Sequence, residues 1–305
     1  MAKYAIISLE GLLTMDIRVL KYFIAVAQEE NITKAAEQLH ISQPPLSRQL
    51  HDLEAELGVK LFERTNRKVI LTDEGALLRQ RAEEIIELVE KTKDDLNPAT
   101  EEISGDIYIG SGETEGVRTL ARVIYHIRCR YPNIRFHFYS GHAEDVAERL
   151  DRGLLDFGIC IEPANMSKYD LIKLPTTDRW GVLMRKDNPL AEKETIQPKD
   201  LLHIPIITAN QAMVEGEFSG WSGGISKKYD VAATYNLLYN ASILVEENVG
   251  VALCIENIIR DYAENSLCFR PLEPQLNVGL DMIWKKHYVF SKAAEVFLEK
   301  LRELV

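Results

Sequence analysis

The sequence predicts a multidomain α+β protein with a small, mainly α N-terminal domain, a long linker helix and a C-terminal α/β domain. Three observations support this fold class. Apolar residues recur at helical spacing up to Leu57, residues 73–96 are rich in strong helix formers, and short apolar strands alternate with amphipathic helices from residue 105 onward. A chain of 305 residues, of which 46% are hydrophobic, has enough apolar material for about two domain cores.

Composition also limits the classes of function. The net charge of −11 argues against a general nucleic-acid coat protein but leaves room for a local basic patch. No apolar run approaches the roughly 18 residues of a membrane span, so we predict a cytoplasmic protein without a membrane partner. Residues 1–14 lack the features of a signal peptide. We expect Met15 to be the natural start, and the residues before it to be an added leader or a misassigned start.

Four cysteines are spread along the chain without the CxxC spacing of a zinc knuckle or a dithiol redox motif. They are Cys129, Cys160, Cys254 and Cys268. Buried, reduced core cysteines explain this distribution better than a peroxide-sensing pair, which stays an alternative.

The first elements are three helices separated by short turns. Residues 16–30 place their apolar side chains on one helical face. Thr33 is the predicted N-cap of a short second helix, and Ser42 is the predicted N-cap of the third. Pro44 and Pro45 then fall in the first turn of the third helix, where proline is tolerated because those N–H groups have no intrahelical acceptor.

A β-hairpin follows the third helix, because "VKLFER" and "KVILT" read as short strands around the turn "TNR". This hairpin would be a wing with Arg64, Arg67 and Lys68 near its tip. The chain therefore has one helix, then two helices joined by a short turn, and then a wing. This order predicts a winged helix-turn-helix domain over residues 15–72.

A long linker helix is predicted over residues 73–96, with Thr72 as its N-cap. Its apolar residues form a roughly heptad stripe of Leu78, Ile85, Leu88 (or Val89) and Leu96. A lone helix cannot bury such a stripe, so the stripe predicts a dimer seam. The stretch 97–105, "NPATEEISG", holds proline, glycine and charge, and residues 97–104 are the predicted hinge. Residues 105–305 form the α/β domain.

The start of the third helix is the strongest candidate for function. The N-terminal residues of a helix placed in the major groove reach base edges, and its free N–H groups attract phosphates. Gln43 would pair with adenine, Arg48 would donate to guanine or a phosphate, and Ser47 lies one turn on from Gln43. The plainer alternative is a well-capped surface helix. The wing and the dimer stripe favour double-stranded DNA binding.

Residues 15–75, carrying "NITKAAEQLHISQPPLSRQLHDLEAELGVKLFERTNRKVILTDEG", closely resemble the N-terminal domain of LysR-type transcriptional regulators. The rest of the chain resembles the family more loosely, through "GDIYIGSGE", "LDRGLLDFGI" and "EENVGVALCIE". Asn248 stands where a glycine is common in the last of these motifs, while Gly250 is retained.

The resemblance implies a sequence-specific regulator that binds a promoter or operator and is switched by a small-molecule effector. The effector would lie in a cleft between two Rossmann-like subdomains similar to those of periplasmic binding proteins, about 105–177 with 278–305 and about 178–277. Family members act as homodimers or homotetramers, and RNA polymerase is an expected partner. The DNA-contacting residues by resemblance are Thr33, Lys34, Ser42, Gln43, Pro44, Ser47, Arg48, Arg64, Arg67 and Lys68.

Candidate effector-binding residues lie where strands end, because hydroxyls and backbone N–H groups converge there. They are Ser111, Glu113, Thr114, Ser140, Cys160, Ile161, Thr208 and Asn210; Phe218, in the glycine-rich stretch "EGEFSGWSGG", is a further candidate. An inward Glu113 would favour an amine over a carboxylate ligand; alternatively, it only satisfies a helix dipole. Phe218 and Trp221 would form an aromatic lid or, equally, be tucked into a core.

Other function classes find little support. The histidines show no HExxH or HxH spacing, no GxSxG elbow joins a predicted strand to a predicted helix, and no P-loop or GxGxxG motif occurs. We therefore predict no catalytic residues, no metal, no cofactor and no enzymatic activity. A solute-binding receptor whose N-terminal helices only dimerise is the rival interpretation.

Overall fold

The computed structural model describes residues 15–64, 68–96, 103–161, 167–209, 216–258 and 266–305. Residues 1–14 and most of the predicted hinge lie outside these ranges. The chain divides into two compact units, Met1–Asp94 and Asp95–Val305. No helix among the described residues combines the length and the apolar character needed to cross a membrane.

The first unit is a helix-turn-helix followed by a two-stranded hairpin and a long helix. Its elements are α1 (Ile17–Glu29), α2 (Ile32–Gln38), α3 (Gln43–Leu57), β1 (Phe62–Arg64), β2 (Val69–Leu71) and α4 (Asp73–Asp95). The core is formed where α1 packs Phe23 and Val26 against Leu46 and Leu50 of α3. Ala35 of α2 is fully buried, and its small side chain allows close helix packing.

One predicted cap is wrong and another is confirmed. Helix α2 begins at Ile32, because the Asn31 carboxamide oxygen accepts the N–H groups of Thr33, at 2.9 Å, and Lys34, at 3.1 Å. Thr33 therefore lies inside the first turn and is not the N-cap. Thr72 does cap α4, since its Oγ1 accepts the N–H of Gly75 at 3.0 Å.

The second unit is a mixed sheet covered by helices. Its strands are β3 (Gly105–Ser111), β4 (Ile134–Ser140), β5 (Phe157–Ile161), β6 (Tyr169–Arg185), β7 (Pro205–Ala209), β8 (Asp230–Tyr235), β9 (Val251–Ile255), β10 (Leu267–Pro271) and β11 (Asn277–Lys285). Its helices are α5 (Val117–Arg130), α6 (Ala143–Asp151), α7 (Gly216–Trp221), α8 (Leu238–Glu246) and α9 (Lys292–Leu304), with 3₁₀ turns at Pro189–Glu192, Pro198–Leu201 and Ile225–Lys228.

Strand β6 divides this unit into two lobes. In the first lobe the strand order is β4-β3-β5-β11-β6, and β11 pairs with the part of β6 from Tyr169 to Arg179. In the second lobe, β9 and β10 pair with the rest of β6, and β7 and β8 continue the sheet beyond β9. The lobes have separate cores, centred on Phe157 and Phe297 in the first and on Leu253 in the second.

Strand β6 and helix α8 depart from the sequence prediction. The sequence pattern begins the sixth strand at Trp180, whereas β6 begins at Tyr169. Pro175 interrupts the pattern, and it lies where the register between β6 and β11 shifts at a bulge, a position that tolerates proline. Helix α8 escaped detection because apolar residues, such as the exposed Tyr239, lie on several of its sides and no polar cap residue precedes it.

Candidate functional site

The N-terminus of α3 keeps its polar groups free. Ser42 occupies the N-cap position with extended backbone angles, but its side chain makes no capping hydrogen bond. A capping hydroxyl normally accepts the N–H of the second or third helical residue. Here Pro44 and Pro45 occupy those positions, and neither has an N–H group. The two prolines therefore leave the exposed Ser42 hydroxyl available to a partner outside the domain.

The exposed face of the same turn carries Gln43 and Arg48, with the half-buried Ser47 beside them. None of these three side chains hydrogen-bonds or ion-pairs with any residue that the structure describes. On the opposite side of α3, Leu46 and Leu50 are buried in the core. The helix thus presents a fixed polar face at its positive end, which is the arrangement that suits a phosphate or a base edge.

The wing is attached to this helix by Glu54. Its Oε1 accepts the N–H of Leu61 at 2.8 Å and the N–H of Phe62 at 3.2 Å. Although Glu54 adds negative charge to α3, its carboxylate is engaged in holding the first wing strand. The acidic residue thus positions the wing beside α3.

The base of the wing also contacts the end of α1. The Lys68 Nζ donates to the Glu30 carboxylate, and Val69 N–H donates to the Glu30 carbonyl at 2.9 Å. Arg64 ends β1, where its backbone pairs with Val69. Arg67 lies outside the described residues. Of the other predicted DNA contacts, Thr33 and Lys34 are exposed in the first turn of α2.

A cavity of about 560 Å³ opens in the second unit where β3 and β4 end. Its polar lining consists of Ser111, Glu113, Thr114, Glu115, Arg118, Ser140 and Asn257. Phe138, Val117, Ala121 and Ile258 provide apolar wall. Four predicted effector residues, those at positions 111, 113, 114 and 140, thus come together at one site.

The charged groups of the cavity are mostly paired. Arg118 makes two hydrogen bonds to the Glu115 carboxylate, at 2.7 and 3.3 Å. The Glu113 Oε2 accepts the N–H of Leu238 at the start of α8. Glu113 therefore does satisfy a helix dipole, but the helix belongs to the second lobe. The cavity keeps an acidic balance, because no unpaired cation lines it among the described residues.

Next to the cavity, a buried polar group lies where β6 passes from one lobe to the other. Thr114 Oγ1 donates to the Asp178 carboxylate, and burial raises the pKa of that carboxyl. The following residue, Arg179, makes two hydrogen bonds of 2.8 Å to Glu256, and that contact raises the pKa of the guanidinium. The part of β6 that passes from one lobe to the other is therefore held by side-chain hydrogen bonds as well as by its strand pairing.

Comparison with known proteins identifies the family. Residues 17–76 match the family model "Bacterial regulatory helix-turn-helix protein, lysR family", and residues 100–305 match "LysR substrate binding domain". The chain belongs to the LysR family of transcriptional regulators. Like other members, it is a sequence-specific DNA-binding regulator that responds to a small-molecule effector bound by its C-terminal domain.

Several relatives of this LysR-type regulator share most of its length. It is 41% identical over 210 residues to the HTH-type transcriptional regulator BsdA of Bacillus subtilis, covering 67% of this chain and 70% of the relative. It is 31% identical over 282 residues to the Hca operon transcriptional activator HcaR of Escherichia coli, covering 89% and 92%. Among solved structures, the LysR family regulator CbnR matches its fold with a TM-score of 0.73 at 20% identity, covering 95% and 99%.

Asn248, noted in the sequence as a difference from the LysR-like motif, lies where the backbone suits asparagine as well as glycine. Asn248 has a φ of +60°, a left-handed conformation that glycine and asparagine adopt more readily than other residues. Gly250 has a different role, because an added Cβ there would lie 2.5 Å from the carbonyl oxygen of Pro205. The turn before β9 is therefore retained.

The other predicted effector residues of this LysR-type regulator that the structure describes do not line the cavity. Phe218 is only 3% exposed and stacks on Trp221 in the second-lobe core, so the core alternative replaces the predicted lid. Thr208 is fully buried, and Cys160 packs against a core cluster of the first lobe. Ile161 is exposed at the end of β5. Asn210 lies outside the described residues.

Sequence reasoning missed several residues at the cavity. Arg118 follows Glu115 by three residues at the start of α5, a helical spacing that predicts their ion pair but does not place them at a cavity. Asn257 and the Leu238 N–H come from loops and helices far along the chain. No local pattern links them to the loop after β3, since the lobes bring them together only in three dimensions.

Proposed function

We propose that the polar face at the start of α3 is the operator-reading surface of this regulator. The observation that carries the proposal is the combination of Pro44 and Pro45 with an unengaged Ser42 hydroxyl and an exposed Arg48 that has no partner among the described residues. In this arrangement Gln43, Ser47 and Arg48 contact base edges. The side chains of Ser42, Thr33 and Lys34 bind the backbone, and Arg64, Arg67 and Lys68 bring the wing to the phosphates or the minor groove.

The test is binding of the full-length protein to the DNA beside its own gene, compared with random DNA. Arg48→Ala should weaken operator binding about tenfold or more, in line with the loss of one good base or phosphate contact. Arg18→Ala removes the same charge from the start of α1, where the arginine pairs with Asp16, and serves as the control. If both variants bind the operator equally well, α3 does not read it through Arg48.

We assign effector binding to the cavity lined by Ser111, Glu113, Thr114 and Ser140. A thermal-shift screen of metabolites tests this assignment, because a ligand bound only by the native state raises the unfolding midpoint. Ser140→Phe should abolish the shift by filling the cavity. Ser266→Phe places the same bulk at an exposed position away from it and should leave the shift intact. A ligand that still stabilises the Ser140 variant would bind elsewhere.

Assembly into homodimers or homotetramers fits the exposed stripe on α4. Ile85, Leu88 and Leu96 are 38%, 40% and 76% exposed, whereas Leu78 packs on the first core. We propose that the three exposed residues pair with those of a second copy.

In this scheme residues 15–72 bind DNA, residues 73–96 pair two copies of the chain, residues 97–104 link the DNA-binding and effector-binding parts, and residues 105–305 bind the effector. A cytoplasmic regulator with RNA polymerase as a partner and without enzymatic activity follows from the same proposal.

The rival function, a solute receptor that only dimerises through its N-terminal helices, makes a different prediction. Substituting both Gln43 and Arg48 would then change neither DNA affinity nor assembly. Under our proposal DNA affinity collapses while the dimer persists, because neither side chain belongs to the exposed stripe on α4. Sedimentation and DNA binding measured on the same preparation separate the two interpretations.

Cys254 and Cys268, the two buried cysteines, do not suit a peroxide-sensing pair. The chain is 33% identical over 189 residues, 61% of each chain, to the DNA-binding transcriptional dual regulator OxyR of Escherichia coli. Cys254 on β9 lies opposite Gly181 of β6, and Cys268 on β10 lies opposite Met184 of β6. With β6 between them, their backbones are separated by two strand spacings, about 9–10 Å across the sheet, and are also offset by three residues along β6, so they lie beyond the reach of a disulfide. Burial also raises the pKa of the Cys254 thiol to about 12.

A further inference from the structure

Helix α8 receives its N-terminal hydrogen-bond acceptor from the other lobe. Its N-cap residue is Leu237, which has no side-chain acceptor, so the first-turn N–H groups of the helix lack a cap of their own. The N–H of Leu238, a residue only 2% exposed, donates to Glu113, which lies 125 residues earlier in the chain. A buried helix end without an acceptor would be unfavourable, so α8 depends on this contact.

Glu113 reaches well into the second lobe from the loop that follows β3. Its negative charge adds to burial in raising the pKa of Tyr235 on β8 and of Cys254 on β9. The same carboxylate lines the cavity beside Ser111 and Thr114. Since the residue that lines the cavity is also the acceptor of the Leu238 N–H, whatever enters the cavity meets the group that ties the lobes together.

This contact differs from the other side-chain contacts near the crossing. Asp178 and Arg179 both belong to β6, the strand that the lobes share, so their bonds stay close to the crossing point. By contrast, Glu113 and Leu238 belong to neither β6 nor β11. Of these contacts, the Glu113 contact is the one that joins an element of the first lobe alone to an element of the second lobe alone.

We propose that Glu113 is a built-in anionic ligand of α8 that latches the two lobes in the effector-free protein, and that effector binding switches the regulator by breaking this latch. The second half of the proposal rests on the assigned effector cavity. The latch itself does not, because the hydrogen bond between Glu113 and Leu238 involves only groups of the chain itself. An effector releases it when it binds better to the arrangement in which Glu113 has left α8.

Two variants separate a latch from a simple helix cap. Glu113→Ala removes the acceptor, and Leu237→Asp supplies α8 with a cap from its own sequence. Glu113→Ala alone should speed exchange of the first-turn amides of α8 about tenfold, as expected for the loss of one charge-assisted hydrogen bond. It should also lower the unfolding midpoint of the full chain by about 2–4 °C. Adding Leu237→Asp should restore both values.

The switching readout should behave differently. The effector-free footprint on the operator should change in the Glu113→Ala variant and stay changed when Leu237→Asp is added, because the second substitution restores the cap without rejoining the lobes. Glu295→Ala is the matched control. Glu295 also belongs to the first lobe, but it lies on α9 away from the cavity and pairs with Lys292 of the same helix, so its loss should leave α8 exchange and the footprint unaltered.

Two results would overturn the proposal. If the double variant recovers the wild-type footprint, Glu113 is only a cap for α8. If Glu113→Ala alters neither amide exchange nor the footprint, the contact carries no energy in solution. The amide-exchange arm uses no ligand. A failure to find any stabilising metabolite would therefore count against the effector cavity and not against the latch.

Discussion

Removing the Glu54 carboxylate should detach the wing from the recognition helix α3. Two N–H groups depend on it, those of Leu61 at 2.8 Å and Phe62 at 3.2 Å, and both residues are buried. Hydrogen bonds to charged groups contribute about 1.5–3 kcal/mol each. Since the second bond is long, we expect Glu54→Ala to cost about 3 kcal/mol, near the lower end of the sum. For a domain of 60–100 residues, such a loss lowers the unfolding midpoint by about 12 °C or more.

Calorimetry of the full chain and hydrogen exchange of the peptide that spans β1 measure this effect. Glu54→Gln keeps an acceptor oxygen but loses the charge, so it should cost only about 1 kcal/mol. Glu63→Ala, an exposed position on β1, should change stability by less than about 0.5 kcal/mol. The Glu54→Ala variant should also bind the operator more weakly, because the wing is no longer held beside α3. If it unfolds at the wild-type temperature with unchanged β1 exchange, the two hydrogen bonds do not support the wing.

Three further predictions concern the effector domain. The Arg135 guanidinium holds the pKa of the buried Asp106 carboxyl below its usual range. The ionised carboxylate therefore stabilises the folded protein above the unfolded pKa of the group, and this stabilisation is lost as the pH falls through the folded pKa. Asp106→Asn should flatten the acid limb of a stability–pH curve. In the native protein a maleimide should label the exposed Cys129 rapidly and the buried Cys254 only after unfolding, as judged by mass spectrometry. Asn248→Ala should destabilise the protein by about 1 kcal/mol in denaturant titrations, whereas Asn248→Gly should not, because of the left-handed backbone at this position.

Each of these three predictions has an opposing result. If the acid limb is unchanged in the Asp106 variant, the ion pair between Arg135 and Asp106 does not stabilise the folded protein more than water stabilises the free carboxylate. Equal labelling rates for the two thiols would contradict the burial of Cys254. If alanine is tolerated at position 248 as well as glycine, the turn before β9 does not require a positive φ.

Local chemistry in the sequence was sufficient to predict the DNA-binding end of the molecule. Ser42 with two following prolines marks the start of α3, and Thr72 marks the start of α4. The same chemistry misplaced the start of α2, because Asn31 and Thr33 both have side chains suited to capping. Asparagine occupies the cap, since the helix already begins at Ile32. When two nearby residues can both cap a helix, their residue types alone do not decide which of them does.

The proposed effector cavity was predictable only in part, for a different physical reason. Ser111 and Thr114 follow a strand directly, so their convergence at a sheet edge is a local consequence of the α/β pattern. The partner of Glu113 is a backbone N–H at the start of a helix whose sequence has neither a polar face nor a cap. Phe218 is the opposite case, because a glycine-rich neighbourhood suggests an exposed loop while its ring is buried in a core. Long-range contacts of this kind leave no periodic signal.

The continuous strand β6 has a consequence for how the effector domain unfolds. Residues Tyr169–Arg179 complete the sheet of one lobe and residues Trp180–Arg185 lie inside the sheet of the other. Neither lobe can melt without stripping hydrogen bonds from a strand on which its neighbour depends. The two lobes have separate cores, but we expect them to unfold as one cooperative unit. A cavity-forming substitution in the core around Phe297 should weaken the protection of amides around Leu253, although the two residues belong to different cores.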